Sequence, residues 1–181
     1  ENTNKIADKI EFFDLYCPTI VPAYDVPDFE LKHFFKDWYD ICEFIGKYAY
    51  SDNVYDRYLL KLIEDGFIKK MPYATLTEDE INDLLARIDV ELKEMWLVTE
   101  KLGTSISAYY LTTLDLVDTM WEEGDSFVGV ARGSVTGMFT MYLIGITQIN
   151  PLPYGLKLAS KGVEAACKED KGYSNAWMHH K

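Results

Sequence analysis

The chain is short of positive charge, of cysteine and of long apolar runs. Its 18 Lys and Arg side chains stand against 30 Asp and Glu, a net charge of −12. A surface of that sign repels phosphate backbones and argues against a stand-alone nucleic-acid binder driven by charge. Cysteine is limited to Cys17, Cys42 and Cys167, an odd number set far apart. That spacing suits neither a disulfide framework nor a zinc site, and it fits a reducing cytoplasm. No apolar run approaches the roughly 20 residues that span a bilayer, and no basic-then-apolar leader opens the sequence. Internal repeats and low-complexity segments are missing as well. What is present is a globular balance over 181 residues, 48% apolar and 27% charged, with 13 Tyr, 9 Phe and 4 Trp. That is enough for one domain with a sizeable core.

Hydrophobic spacing predicts several helices. Residues 1–10 read as a short one, and Pro18, Pro22 and Pro27 keep the next stretch extended. A second helix over about 28–47 carries Phe34, Phe35, Trp38, Ile41, Cys42 and Ile45 at helical intervals. A third covers about 53–65, with Tyr55, Tyr58, Leu59 and Leu62 on one face and Gly66 as its stop. The clearest begins at Thr77, where Thr77-Glu78-Asp79-Glu80 spells a capping box. Ile81, Leu84, Leu85, Ile88, Leu92, Met95 and Trp96 form its apolar stripe, and Gly103 ends it. Asp83 with Arg87, and Asp89 with Lys93, are spaced to pair on its wet side. Residues 108–113 are rich in strand formers and lead into a helix through Leu116, Val117, Met120 and Trp121. Residues 127–130 read as a short buried strand, and a last helix runs from near Ser134 to Gly145. The expected fold class is therefore α+β, dominated by helices, with a small sheet holding 109–113 and 127–130. Composition changes at the end. Residues 157–181 carry five Lys against Glu164, Glu169 and Asp170, leaving 13 basic and 27 acidic side chains before them, a net −14.

One segment carries chemistry. Val128-Gly129-Val130-Ala131-Arg132-Gly133-Ser134-Val135-Thr136-Gly137 reads as strand, small-residue turn and helix. Gly133 lets the backbone approach a ligand closely, and Ser134 stands where an N-cap belongs. Free amides at a helix start beside Arg132 suit a phosphate. The same residues also suit a plain tight turn in which Ser134 caps and Arg132 pairs with a neighbouring acid. Asp115 and Asp118 share a helix face, as many of the 30 acids must by chance.

The surroundings of this turn carry a resemblance. Val128-Gly129-x-x-Arg132-Gly133-Ser134-x-x-Gly137, followed by Tyr142-x-x-Gly145-Ile146-Thr147-x-x-Asn150-Pro151-Leu152-Pro153-Tyr154, resembles the bacterial replicative DNA polymerase III alpha subunit, the C-family polymerases. Tyr109-x-Leu111 with Asp115 and Gly124, and Tyr58-Leu59 with Gly66, look like that family's upstream stretches. Asn2-Thr3-x-x-Ile6-Ala7 and Pro22-x-Tyr24-x-x-Pro27 are similar to the start of its palm. The ordered set covers most of residues 1–156, the amino-terminal part of the palm, and leaves 157–181 as a divergent polar tail.

The resemblance implies a palm of the polymerase-beta-like nucleotidyltransferase type. In it Gly133 and Ser134 would touch the triphosphate of an incoming deoxynucleoside triphosphate, with Gly137 in the motif and Arg132 in support. Ala131 stands for the family's first glycine, and Met138 for a serine. The family's catalytic aspartates lie in a downstream Pro-Asp-Phe-Asp-Ile-Asp-like strand that has no counterpart among residues 157–181. No catalytic or metal residue is therefore assigned, although magnesium is the family cofactor. The resemblance thus implies a fragment of a DNA-directed DNA polymerase, inactive alone, with primer–template DNA as partner of the whole protein and no membrane association. A palm sheet lacking its aspartate strand would expose an edge, which the tail covers by folding back, a second chain covers by pairing into a homodimer, or aggregation covers, with pairing the leading expectation. The competing expectation is a non-catalytic, acidic helical interaction module derived from the same palm.

Overall fold

The computed structural model describes residues 2–9, 20–124, 126–130 and 133–156. Its helices are α1 (Asn2–Ala7), α2 (Glu43–Ala49), α3 (Val54–Lys70), α4 (Glu78–Leu102), α5 (Ser107–Glu122) and α6 (Phe139–Ile144). Single 3₁₀ turns lie at Lys36–Trp38, Tyr73–Thr75, Ser134–Gly137 and Leu152–Tyr154. Central to the packing is α3, which meets α2, α5 and α6, while α4 closes over α2 and α6. The core between them holds Phe35, Ile45, Tyr48, Leu59, Ile63, Phe67, Leu85, Ile88, Leu92, Met95 and Phe139, all fully buried. Each aliphatic or aromatic side chain so buried contributes about 1.5–3 kcal/mol relative to exposure.

The longest helix follows its sequence signals. Thr77 accepts from the Glu80 amide while the Glu80 carboxylate accepts from the Thr77 amide, completing the capping box. Gly103 closes α4 in the left-handed region at φ 68°. The proline-bearing stretch 20–27 has no regular structure, as expected. Among the described residues no helix is long and apolar enough to cross a membrane.

The expected small sheet is overturned, because among the described residues there is no strand. Residues 109–113 lie inside α5, where Ser107, Ala108, Tyr110, Leu111 and Val117 are buried together. Adjacent buried residues such as Tyr110 and Leu111 fit a helix face packed on α3 and not the alternation of a strand. The hydroxyls of Thr112 and Thr113 turn back to the carbonyls of Ala108 and Tyr109, at 2.9 and 2.8 Å, so even these strand formers are served by the helix. Residues 127–130 are irregular, and Phe127 is 96% exposed. The homodimer argument, which needed a strand edge there, loses its premise.

Other boundaries move for identifiable reasons. The apolar residues read as one helix over 28–47 serve two elements, a 3₁₀ turn and α2. Phe34 and Phe35 instead fold onto Phe67, with ring centroids 6.1 and 5.4 Å away. Helix α3 runs straight through Gly66, whose missing side chain admits α6, since a Cβ there would collide with the carbonyl of Leu143. What stops α3 is Met71, extended at ψ 137° ahead of Pro72. The helix expected from Ser134 to Gly145 is broken at Met138, whose backbone is extended and whose side chain is 1% exposed. Gly145, left-handed at φ 102°, ends α6 as expected.

Candidate functional site

The glycine-serine turn lies between two anchors. Upstream, the Val130 carbonyl accepts from the Gln148 amide at 2.7 Å, tying the incoming strand of chain to the segment after α6. Downstream, Met138 is sunk into the core. Between them Gly133 is exposed with φ 72° and ψ −159°, a region that side-chain-bearing residues scarcely enter. A Cβ on Gly133 would meet nothing within 4 Å, so this glycine is demanded by backbone conformation and leaves its surface open to a ligand.

Ser134 opens the 3₁₀ turn and is itself exposed. The expectation that it caps a long helix is corrected: Gly133 occupies the cap position, and the turn is only four residues long. Its first internal bond runs from the Thr136 amide to the Gly133 carbonyl at 3.3 Å, which leaves the Ser134 and Val135 amides ahead of it. Gly137 ends the turn, and its carbonyl accepts from the Arg87 guanidinium. Arg132 and Ala131 lie outside the described residues.

A cleft of about 200 Å³ opens beside the turn, lined by Ser134, Val135, Met138, Tyr109, Thr113 and Ile146. It brings Ser134 against the first turns of α5, so Tyr109 and Ser134, 25 positions apart in sequence, line one cleft. A larger groove of about 400 Å³ lies between α3, α5 and α6, with Lys69, Lys70, Asp65, Asp118 and Trp121 around it. Lys70 donates to the Tyr142 carbonyl, and burial followed by the Lys69 charge pulls its pKa down. Burial, then Glu122 and Asp115, push the Asp118 carboxyl up. Of the Asp115 and Asp118 pair, Asp118 thus stands in a groove of mixed sign. Among the described residues no group of three or more His, Cys, Asp or Glu side chains could hold a metal ion. These residues do not fit a magnesium site.

Sequence spacing missed the side chains that hold the turn in place. Arg87 does not turn to Asp83. Its Nε donates to Glu91 Oε1 at 2.6 Å, one turn further along α4. Glu91, fully buried, also accepts from the Phe139 and Thr140 amides at 2.8 Å each and from the Thr140 hydroxyl at 2.7 Å. It is the N-terminal cap of α6, supplied from another helix, because Met138 offers no side-chain oxygen. Those amides are therefore filled and cannot receive a ligand anion. The sequence signal was available: Glu91 stands between Ile88 and Met95 at i+3 and i−4, within the buried stripe. Asp89, expected on the wet side, likewise caps α2 by accepting from the Phe44 and Ile45 amides at 2.7 and 2.9 Å.

An open glycine-serine turn beside an aromatic-walled cleft is thus carried on a helical scaffold. Residues 57–160 match the family described as the bacterial DNA polymerase III alpha NTPase domain, and the chain belongs to that family. It is 43% identical over 159 residues to the probable DNA polymerase YorL of Bacillus subtilis (strain 168) and, equally, to the DNA-directed DNA polymerase of Bacillus phage SPbeta. Both matches cover 86% of the chain and 12% of the relative. A third, 26% identical over 156 residues, is DNA polymerase III subunit alpha of Aquifex aeolicus (strain VF5), of which 10% is covered. The chain therefore spans about a tenth of the length of these relatives. No solved structure gives a significant match.

Proposed function

We propose that the chain is the triphosphate-handling portion of a replicative DNA polymerase, with residues 1–156 in the amino-terminal part of the palm. Gly133 and Ser134 receive the phosphates of an incoming deoxynucleoside triphosphate, Arg132 adds charge, and Gly137 fixes the far end of the turn. The observation that carries this reading is the exposed, glycine-only backbone at Gly133 with Ser134 on the wall of the adjoining cleft. Amides that precede the first bond of the turn can donate to phosphate oxygens, and a guanidinium bond to an anion contributes about 1.5–3 kcal/mol. Primer–template DNA, magnesium and a cytoplasmic setting belong to the reading of the whole polymerase.

Titration with a fluorescent deoxynucleoside triphosphate tests it. Arg132→Ala weakens binding more than Lys157→Ala does. Equal effects, or no binding by the unaltered chain, contradict the proposal.

A second reading, a non-catalytic interaction module, is favoured by one observation. Tyr109, Leu116 and Met120 form an exposed stripe on α5, continued by Trp121 packed edge-on against Phe127 at 6.2 Å. Contiguous exposed apolar surface of this kind marks contact with other polypeptide. Loss of binding to a protein partner on Leu116→Lys, with triphosphate affinity absent throughout, would favour that reading over the first.

A further inference from the structure

We infer that Arg87 and Glu91 are a positioning pair for the glycine-serine turn, setting from α4 the place at which Ser134 stands. The functional half of this inference rests on the triphosphate reading; the geometric half does not. The pair grips the chain on both sides of Met138. Arg87 donates to the Gly137 carbonyl, the last of the turn, and Glu91 accepts from the Phe139 and Thr140 amides, the first of α6. The two side chains are joined to each other by the 2.6 Å bond, so they act as one rigid bracket.

Burial makes the bracket stiff. The Glu91 side chain is fully buried and that of Arg87 is 15% exposed, which weakens competition from water and the screening of their charges. Guanidinium planarity matters because one donor must face Glu91 while another faces Gly137. A lysine carries the charge but has no fixed fork to serve both at once. Apart from the Val130–Gln148 bond upstream and the buried Met138, local bonds hold the turn among the described residues. Gly133 and Ser134 are exposed, and the backbone bonds from Thr136 to Gly133 and from Met138 to Val135 are local. A shift of Gly137 therefore moves the Ser134 amide and hydroxyl directly. Neither Arg87 nor Glu91 lines the cleft, so they act through the turn and touch no ligand.

The test uses the 181-residue chain in three forms: unaltered, Arg87→Lys, and Asp89→Ala as a control that removes the cap of α2 from the same helix. Amide hydrogen exchange and affinity for dTTP are measured on each, well below the melting temperature. Arg87→Lys is chosen because Glu91→Ala threatens folding itself. The pair's role predicts that Arg87→Lys speeds exchange at the hydrogen-bonded amides of 136–140 by tenfold or more while amides of α3 keep their rates within threefold. It also predicts a rise of about tenfold in the dTTP dissociation constant, whereas Asp89→Ala lowers the melting temperature yet leaves that constant unchanged. Exchange in Arg87→Lys that rises evenly over the whole chain, or affinity that falls in step with stability in both variants, overturns the inference. If the unaltered chain does not bind dTTP, the triphosphate reading fails. The exchange pattern then decides the geometric half alone, and unaltered protection at 136–140 overturns it.

Discussion

Two buried carboxylates on helices of the same core, Glu91 on α4 and Glu64 on α3, meet opposite surroundings. Both side chains are shut away from solvent. Glu91 receives four hydrogen bonds, one from a guanidinium, and joins α4 to α6. Among the described residues Glu64 receives a single long one, from the Phe35 amide at 3.4 Å, and its Oε2 has no partner. Burial pushes the Glu64 carboxyl above its ordinary value, against the pull of the Phe35 and Phe34 amides. Buried charge with full pairing locks two elements into one geometry; buried charge without it is a cost that protonation relieves. The turn that carries the family motif is placed on the locked side of the molecule.

The largest expected effect breaks the locked side. Glu91→Ala strands the Arg87 guanidinium, two amides and a hydroxyl in the core, and should cost about 3–5 kcal/mol of stability. The shift of the urea midpoint measures it. A loss below about 1 kcal/mol would mean that the bracket is dispensable. Next comes the strained side, where the expectation is a slope with pH. The folded state raises the Glu64 pKa above the ordinary 4.5, so it holds the proton more tightly than the unfolded chain does. The contribution of this group to stability is therefore full below pH 4.5 and is lost as pH rises through the folded value. Glu64→Gln, which cannot ionise, should be at least as stable as the unaltered chain at pH 8 and should flatten that slope in urea denaturation. A steeper decline in the variant would contradict the assignment. The smallest effect concerns Asp89, a half-buried carboxylate between these extremes. Asp89→Ala removes two amide bonds at the start of α2 and should cost about 1 kcal/mol by thermal denaturation.

These carboxylates also show how far the sequence could be read. The capping box at Thr77 and the glycine stop at Gly103 are local devices, written in adjacent residues, and α4 follows them. Glu91 and Asp89 cap helices to which they are not adjacent, and spacing along one helix cannot reveal a partner on another. The strand expected over 109–113 failed for the same reason. Its residues favour an extended chain in isolation, but packing on α3 buries Tyr110 and Leu111 side by side. Gly66, read as a stop, is a point of contact with α6. At the candidate site Gly133 was legible as a turn residue, because positive φ leaves a mark in composition, whereas Ser134 and Gly137, read as part of a helix reaching Gly145, form a short 3₁₀ turn cut off at Met138. The motif could not supply Arg87, 46 positions before Gly133, which reaches the turn only through the fold.

On the triphosphate reading proposed above, phosphates rest at the open end of this turn, at Gly133 and Ser134. Amide chemical shifts of the ¹⁵N-labelled chain, followed while dTTP is added, test it most directly. Saturable shifts, largest at Gly133, Ser134 and Val135, are expected. Shifts concentrated instead at Lys69 and Lys70, in the groove between α3, α5 and α6, or absent altogether, would contradict that reading.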